Sequence, residues 1–165
     1  LIVALKGNAK GIYTIVMLAM HTGLRRNAIF SLKWEDVNLE ERNIRLLAIS
    51  AKSRKISYVP INDTALKVLS EWKEVAPKSD FVFPSPVTGK KLNNVKKSWA
   101  SILKEARIEN FRFHDLRHDF ASRLVMHGVD LNTVRELMTH SDIRMTLKYA
   151  HLAPEKTVSA VNLLD

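Results

Sequence analysis

A chain of 165 residues with 26 Lys and Arg against 17 Asp and Glu carries a formal charge of +9 and no cysteine. That excludes disulfides and thiolate metal sites and favours a polyanionic partner. The longest apolar run, Ile15 to Met20, is far too short to cross a bilayer, and nothing resembles a secretory signal.

Hydrophobic and charged contents of 46% and 26% predict one ordinary folded domain spanning residues 1–165. The chain starts at Leu1 rather than Met, which predicts a domain cut from a longer protein, and the absence of cysteine fits a reducing cytoplasm.

Gly11 to His21 sets Ile12, Ile15, Val16, Ala19 and Met20 at helical spacing and stops at Gly23. A short second helix is predicted from about Arg25 to Leu32. Ile44 to Ile49 and Ile56 to Ile61 are β-rich runs around Ser50-Ala51-Lys52-Ser53-Arg54-Lys55. They read as a hairpin with a cationic tip, its second strand closed at an edge by Pro60. Asn62 or Asp63 caps a helix to about Val75 with Leu66, Leu69 and Trp72 inward. Pro77 to Lys91 reads as loop. Asn93 to Ala106 is helical again, with Val95, Trp99 and Ile102 facing in. A longer helix from His114 to His127 ends at Gly128. Asp130 caps another to Met138, and Ser141 or Asp142 caps a last one through Ala150. The tail 154–165 carries Val158, Val161 and Leu164 at a spacing suited to a docking helix. The predicted fold is mainly α with a small antiparallel β-sheet, an α+β domain.

Three segments concentrate cationic and hydrogen-bonding groups. Thr22-Gly23-Leu24-Arg25 presents an arginine where a helix begins and backbone N–H groups favour an anion. In His114-Asp115-Leu116-Arg117-His118, His114 and Arg117 share one helical face. Thr139-His140-Ser141 is followed by Lys148-Tyr149-Ala150-His151. Taken singly, each has a plain structural explanation: a solvated arginine, a packed tyrosine, histidines at helix ends.

Together, His-x-x-Arg, then His-Ser, then Tyr-Ala-His, in this order and spacing, resemble the tyrosine recombinase family of phage-type integrases. The likeness runs from about Ile12 to Leu152. Thr22 to Arg25 is similar to that family's first arginine box. Ala51-Lys52 through Tyr58-Val59-Pro60-Ile61 resembles its β-hairpin, whose tip carries a catalytic lysine. The resemblance implies the family's mainly helical catalytic domain, with an N-terminal core-binding domain lying outside this chain. It implies double-stranded DNA as partner, a homotetramer on the DNA synapse and no membrane. The tail would then pack on a neighbouring copy, or fold back in cis.

The implied reaction cuts and rejoins DNA by transesterification. A tyrosine hydroxyl displaces a 5′-hydroxyl and leaves a 3′-phosphotyrosine. Bond energy is kept, so neither metal nor ATP is expected, and protein cations must meet the phosphoryl charge. The resemblance assigns Tyr149 as nucleophile, Arg25 and Arg117 as grips on the non-bridging oxygens, and His140 as a further donor. His114 becomes the proton acceptor and Lys52 the acid for the leaving oxygen, with Arg54 and Lys55 close enough to substitute for it. His118 and His151 read as structural, and Arg144 and Lys148 as facing DNA or solvent.

Three positions depart from the family pattern. Ala28 replaces an acidic residue after the first arginine, Asp119 stands where a small neutral residue is commoner, and Thr139 replaces the glycine before His140. Two other classes compete. The doublets His114-Asp115 and His118-Asp119 lie one helical turn apart and suggest a metal-dependent phosphohydrolase. A non-catalytic DNA-binding module derived from an integrase is the third reading. The target site and the direction of recombination are not written in the sequence.

Overall fold

A computed structural model describes residues 1–6, 10–47, 56–155 and 161–162. The chain falls into two compact units, Leu1–Phe120 and Ala121–Asp165. As expected, it is mainly helical with one small antiparallel sheet. Among the described residues no helix is long and apolar enough to cross a membrane.

In the first unit the least charged stretch becomes the central helix α2 (Lys10–Thr22), buried on nearly every side. A helix apolar all round needs cover all round. It is supplied by α1 (Ile2–Lys6), α3 (Arg26–Phe30) and α4 (Asp63–Lys73). Buried hydroxyls on α2 are satisfied locally, Thr14 and Thr22 donating to the carbonyls of Lys10 and Leu18 at 2.9 and 2.6 Å.

Of the two candidate caps for α4, Asn62 serves: its side chain accepts from the Ala65 N–H at 3.0 Å. The inner stripe is Ala65, Val68 and Leu69, with Leu66 and Trp72 only half-buried. The predicted stripe therefore overweighted Leu66 and missed Val68. Three short strands, β1 (Val37–Asn38), β2 (Asn43–Leu47) and β3 (Ile56–Pro60), pair antiparallel in chain order. Ile44 opposite Val59 fixes the core face, while Leu47, Ile56 and Tyr58 are exposed. Pro60 ends an edge strand, where a missing N–H costs no ladder bond. The hairpin tip, with Lys52, Arg54 and Lys55, lies outside the described residues.

The Pro77–Lys91 stretch has no helix or extended strand, yet it is no simple surface loop. Val82 and Phe83 are 0% and 2% exposed. The Val82 N–H donates to Leu32, the Trp34 N–H to Asp80, both at 2.9 Å, and the Trp72 indole donates to the Val82 carbonyl at 2.7 Å. Prolines forbid regular structure there, but an apolar pair between them still has to be buried. Then α5 (Lys96–Glu105) turns Trp99 and Ile102 into the core, as read, with Val95 only half-buried.

The division between units falls inside α6 (Asp115–Met126). The second unit continues through α7 (Leu131–Leu137) and α8 (Arg144–Leu147), which pack together, and a 3-10 turn at Ala150–Leu152. Asp130 caps α7 as predicted, accepting from the N–H groups of Asn132 and Thr133 at 3.0 and 2.9 Å.

Helices α6 and α7 end in the same hydrogen-bonded motif. Gly128 and Val129 donate back to Val125 and Leu124 at 2.9 and 3.1 Å; Thr139 and His140 donate to Glu136 and Arg135 at 2.8 and 3.0 Å. The pivot residue is left-handed in both, with φ of 78° at Gly128 and 50° at Thr139. Glycine takes that conformation freely, whereas a β-branched residue is held there at a cost of roughly 1–2 kcal/mol. Thr139→Gly should relieve this strain and lose only part of it to a freer unfolded chain, a net gain of roughly 0.5–1 kcal/mol. Thermal denaturation should show the midpoint rise by roughly 1–4 °C; a lowered midpoint would mean the threonine is not strained.

The last helix is much shorter than predicted. It covers only Arg144–Leu147, so Tyr149 sits after it, ahead of the 3-10 turn. The cause is a run of tight i→i−3 bonds: Thr146 to Ile143, Tyr149 to Thr146 and Leu152 to Tyr149. Asp142, not Ser141, tends the start, accepting from the Arg144 N–H at 2.8 Å. Of the tail, Val158 and Leu164 lie outside the described residues and Val161 is exposed.

Candidate active site

In the first unit, two segments far apart in sequence are fastened together. Gly23, at φ 63°, turns the chain out of α2. Arg25 follows in extended conformation, exposed, its carbonyl accepting from the N–H groups of Ala28 and Ile29 at 2.8 and 3.1 Å. Helix α3 spans only Arg26–Phe30, shorter than predicted. Its dipole is correspondingly weak, and the guanidinium of Arg25 is the main attraction it offers an anion.

Arg117 is 4% exposed, and its guanidinium donates to the carbonyl of Gly23. The buried charge is thus aimed at the turn that leads into Arg25. Aromatic packing reinforces the link. Phe113, just before His114, lies 6.0 Å from Phe30 of α3 and 5.5 Å from Trp99 of α5, edge-on to the latter. Trp99 in turn donates its indole N–H to the Phe111 carbonyl at 3.3 Å.

His114 is exposed in the turn ahead of α6, and its ring meets that of His118 edge-to-face at 5.0 Å. The turn is closed by Asp115, which accepts from the Arg112 backbone N–H at 2.7 Å and its guanidinium at 3.0 Å. Arg112 therefore holds the Asp115 carboxyl below its usual range, chiefly through this side-chain hydrogen bond. The same contact commits one of the four groups of the metal-site reading to a cation. Among the described residues no cluster of three or more His, Asp or Glu is arranged to hold a metal.

A carboxyl lowered in the folded state binds its proton more weakly there than in the unfolded chain. Its stabilising contribution is full above an unfolded pKa of about 4 and fades as pH falls below it. Urea titrations at pH 7 and pH 3 should show a smaller acid loss for Asp115→Asn than for the wild type. The effect is modest because Arg112 is largely exposed. An unchanged acid loss would mean that the Arg112–Asp115 contact adds no pH-dependent stability.

In the second unit, Nδ1 of His140 lies 2.9 Å from the hydroxyl of Thr146, with both residues buried at 6% and 0% exposure. The Thr146 carbonyl accepts from the Tyr149 N–H at 3.0 Å. The Tyr149 side chain is 5% exposed, and the Lys148 ammonium sits 5.0 Å from the centre of its ring, a cation–π contact. Lys148 was expected to face DNA or solvent; it is exposed but also touches the candidate nucleophile. Arg144 is exposed and bound to Asp142 at 2.6 Å. That hydrogen bond lowers the Asp142 carboxyl and raises the guanidinium.

Within the first unit the structure thus joins the Arg25 turn, His114 and Arg117. Within the second it joins His140 to the backbone of Tyr149. Lys52 falls outside the described residues. Sequence reading missed Thr146 and Phe113. A threonine one turn ahead of Tyr149 shares its face, and that spacing was the available signal for the first. Phe113 gave none beyond its apolar character beside a polar box.

The sequence profile of the phage integrase family matches residues 2–156. The integrase of Salmonella phage P22 is 35% identical over 163 residues, 92% of this chain and 42% of that protein. The tyrosine recombinase XerD of Listeria monocytogenes is 36% identical over 141 residues, 79% of this chain and 46% of that protein. Among solved structures, the catalytic domain of bacteriophage HP1 integrase superposes with a TM-score of 0.69 at 30% identity, over 92% of this chain and 80% of that one. The Tn1549 transposon integrase, solved with circular intermediate DNA, reaches a TM-score of 0.79 over 99% of this chain and 62% of that one. At 19% identity it speaks for the fold alone. The chain spans about half the length of the curated relatives it matches. With its fold, its ordered motifs and a profile match over most of its length in agreement, the chain belongs to the phage integrase family, the tyrosine recombinases.

Proposed function

We propose that this chain is the catalytic domain of a site-specific DNA recombinase that cuts and rejoins strands through a 3′-phosphotyrosine intermediate. The observation that supports it most is the bond from buried Arg117 to the Gly23 carbonyl. It ties the His-x-x-Arg box to the segment bearing Arg25, as a two-arginine grip on one phosphate requires. Guanidinium suits that task because it stays charged and can donate two parallel bonds to phosphoryl oxygens.

In this reading the Tyr149 oxygen attacks phosphorus as its proton passes to His114. The bond from phosphorus to the 5′-oxygen breaks, and that oxygen leaves with a proton from Lys52. Arg25, Arg117 and His140 offset the charge on the non-bridging oxygens. Attack of another 5′-hydroxyl on the phosphotyrosine reverses each step and completes the exchange. No net hydrolysis occurs, so bond energy is conserved. The substrate is double-stranded DNA, bound within a tetramer assembled on two duplexes. Further phosphate contacts come from a DNA-binding domain elsewhere in the protein.

The test is covalent capture. Mixed with a pool of nicked duplexes carrying a randomised core, the chain should form an adduct that survives detergent. Phosphatase should not remove it, and protease should. DNA binding without any adduct would favour the non-catalytic module instead.

A further inference from the structure

We propose that Thr146 is a positioning residue that locks two reacting groups at once, holding the His140 ring by its hydroxyl and the Tyr149 backbone by its carbonyl. The inference rests on the recombinase reading of this site and deepens it. Four observations within the second unit carry it. Thr146 is fully buried, its hydroxyl lies 2.9 Å from Nδ1 of His140, its carbonyl accepts from the Tyr149 N–H at 3.0 Å, and its own N–H is held by Ile143 at 2.7 Å.

The chemistry fits both proton states of the ring. A hydroxyl can donate to Nδ1 of a neutral imidazole or accept from Nδ1–H of an imidazolium. Either way the bond fixes the ring plane and the role left to Nε2, the nitrogen that would face a phosphate oxygen. A buried threonine also has few rotamers to choose from, so its oxygen holds its place. The His140 backbone, by contrast, is set by the strained turn at Thr139. Thr146 supplies an independent restraint on the ring at that end. Because the same residue carries the Tyr149 N–H, a shift of His140 and a shift of the nucleophile's backbone are coupled through one short helix.

Thr146→Val keeps the shape and removes the hydroxyl, Thr146→Ser keeps the hydroxyl and removes a methyl group, and Thr146→Ala removes both. Two readouts separate positioning from folding. The first is the ring nitrogen chemical shifts of His140 by NMR in the DNA-free chain, which report tautomer and hydrogen bonding. The second is the single-turnover rate of covalent capture at saturating DNA. In Thr146→Val the Nδ1 signal should move, and the capture rate should fall by roughly tenfold or more. Thr146→Ser should restore both. If the valine variant does not fold, the alanine and serine variants make the same comparison. Unchanged His140 signals in a folded hydroxyl-less variant, or equal losses in the serine and valine variants, would overturn the proposal. A wild type that forms no adduct would defeat the recombinase reading instead, and the NMR result would still judge the Thr146 bond by itself.

Discussion

Replacing Arg117 by alanine should cost this chain both stability and activity, and by separable amounts. The guanidinium is 4% exposed and donates to the carbonyl of Gly23. Removing it strands a buried acceptor, a loss of roughly 1–3 kcal/mol. The larger effect is chemical. Stripping a cation from a phosphoryl group in transfer costs on the order of 10³-fold or more in rate. Arg117→Lys discriminates the two. Lysine keeps the charge but cannot bond the Gly23 carbonyl and a phosphate oxygen with one rigid fork. It should recover part of the stability and little of the rate. Urea midpoints and single-turnover capture, measured on the same preparations, check both halves. An alanine variant that folds and keeps the full rate would mean that Arg117 is only a strut for the Gly23 turn.

The second large effect is confined to chemistry. Tyr149→Phe should abolish covalent capture while leaving DNA affinity close to the wild type. Two contacts do not depend on the hydroxyl: its N–H still donates to Thr146, and its ring still faces the Lys148 ammonium. Only the oxygen that would attack phosphorus is lost. No nearby hydroxyl can replace it without reaching the same phosphate at the same angle. Gel retardation at low salt and denaturing electrophoresis separate binding from capture. Capture persisting in the phenylalanine variant would place the nucleophile elsewhere.

How much of this was legible in the sequence depends on where each residue's energetics lie. Local signals read well. The uncharged run from Ile12 to Thr22 could only be a buried helix, and the Asp130 cap and the Gly128 stop lay where short-range hydrogen bonding puts them. The Ile44 and Val59 strands paired because two β-rich runs around a polar interval specify a hairpin. Tertiary demands did not read. Val82 and Phe83 looked like loop because prolines surround them, yet long-range bonds to Leu32 and Trp72 bury them. The last helix was drawn too long because helical periodicity cannot distinguish i→i−4 bonds from the i→i−3 bonds around Tyr149.

The candidate site divides the same way. Motif order named Arg25, His114, Arg117, His140 and Tyr149, since charged groups at fixed intervals are visible in one dimension. What holds them was invisible. The Arg117 bond to Gly23, the packing of Phe113 on Phe30 and the Thr146 link between His140 and Tyr149 are contacts across space. Thr139 stands between these cases. Its departure from the family's glycine was plain, and its left-handed φ of 50° shows that the backbone keeps the glycine's geometry and bears the strain.

Whether Tyr149 is the nucleophile is decided by the atom that joins protein to DNA. The adduct captured on nicked duplexes would be digested with nuclease and trypsin, and the peptide bearing a nucleotide sequenced by mass spectrometry. One modified residue is expected, Tyr149, linked through a 3′-phosphate, with a free 5′-hydroxyl on the released strand. A nucleotide on any other side chain, or a 5′-phosphate linkage at Tyr149, would contradict it.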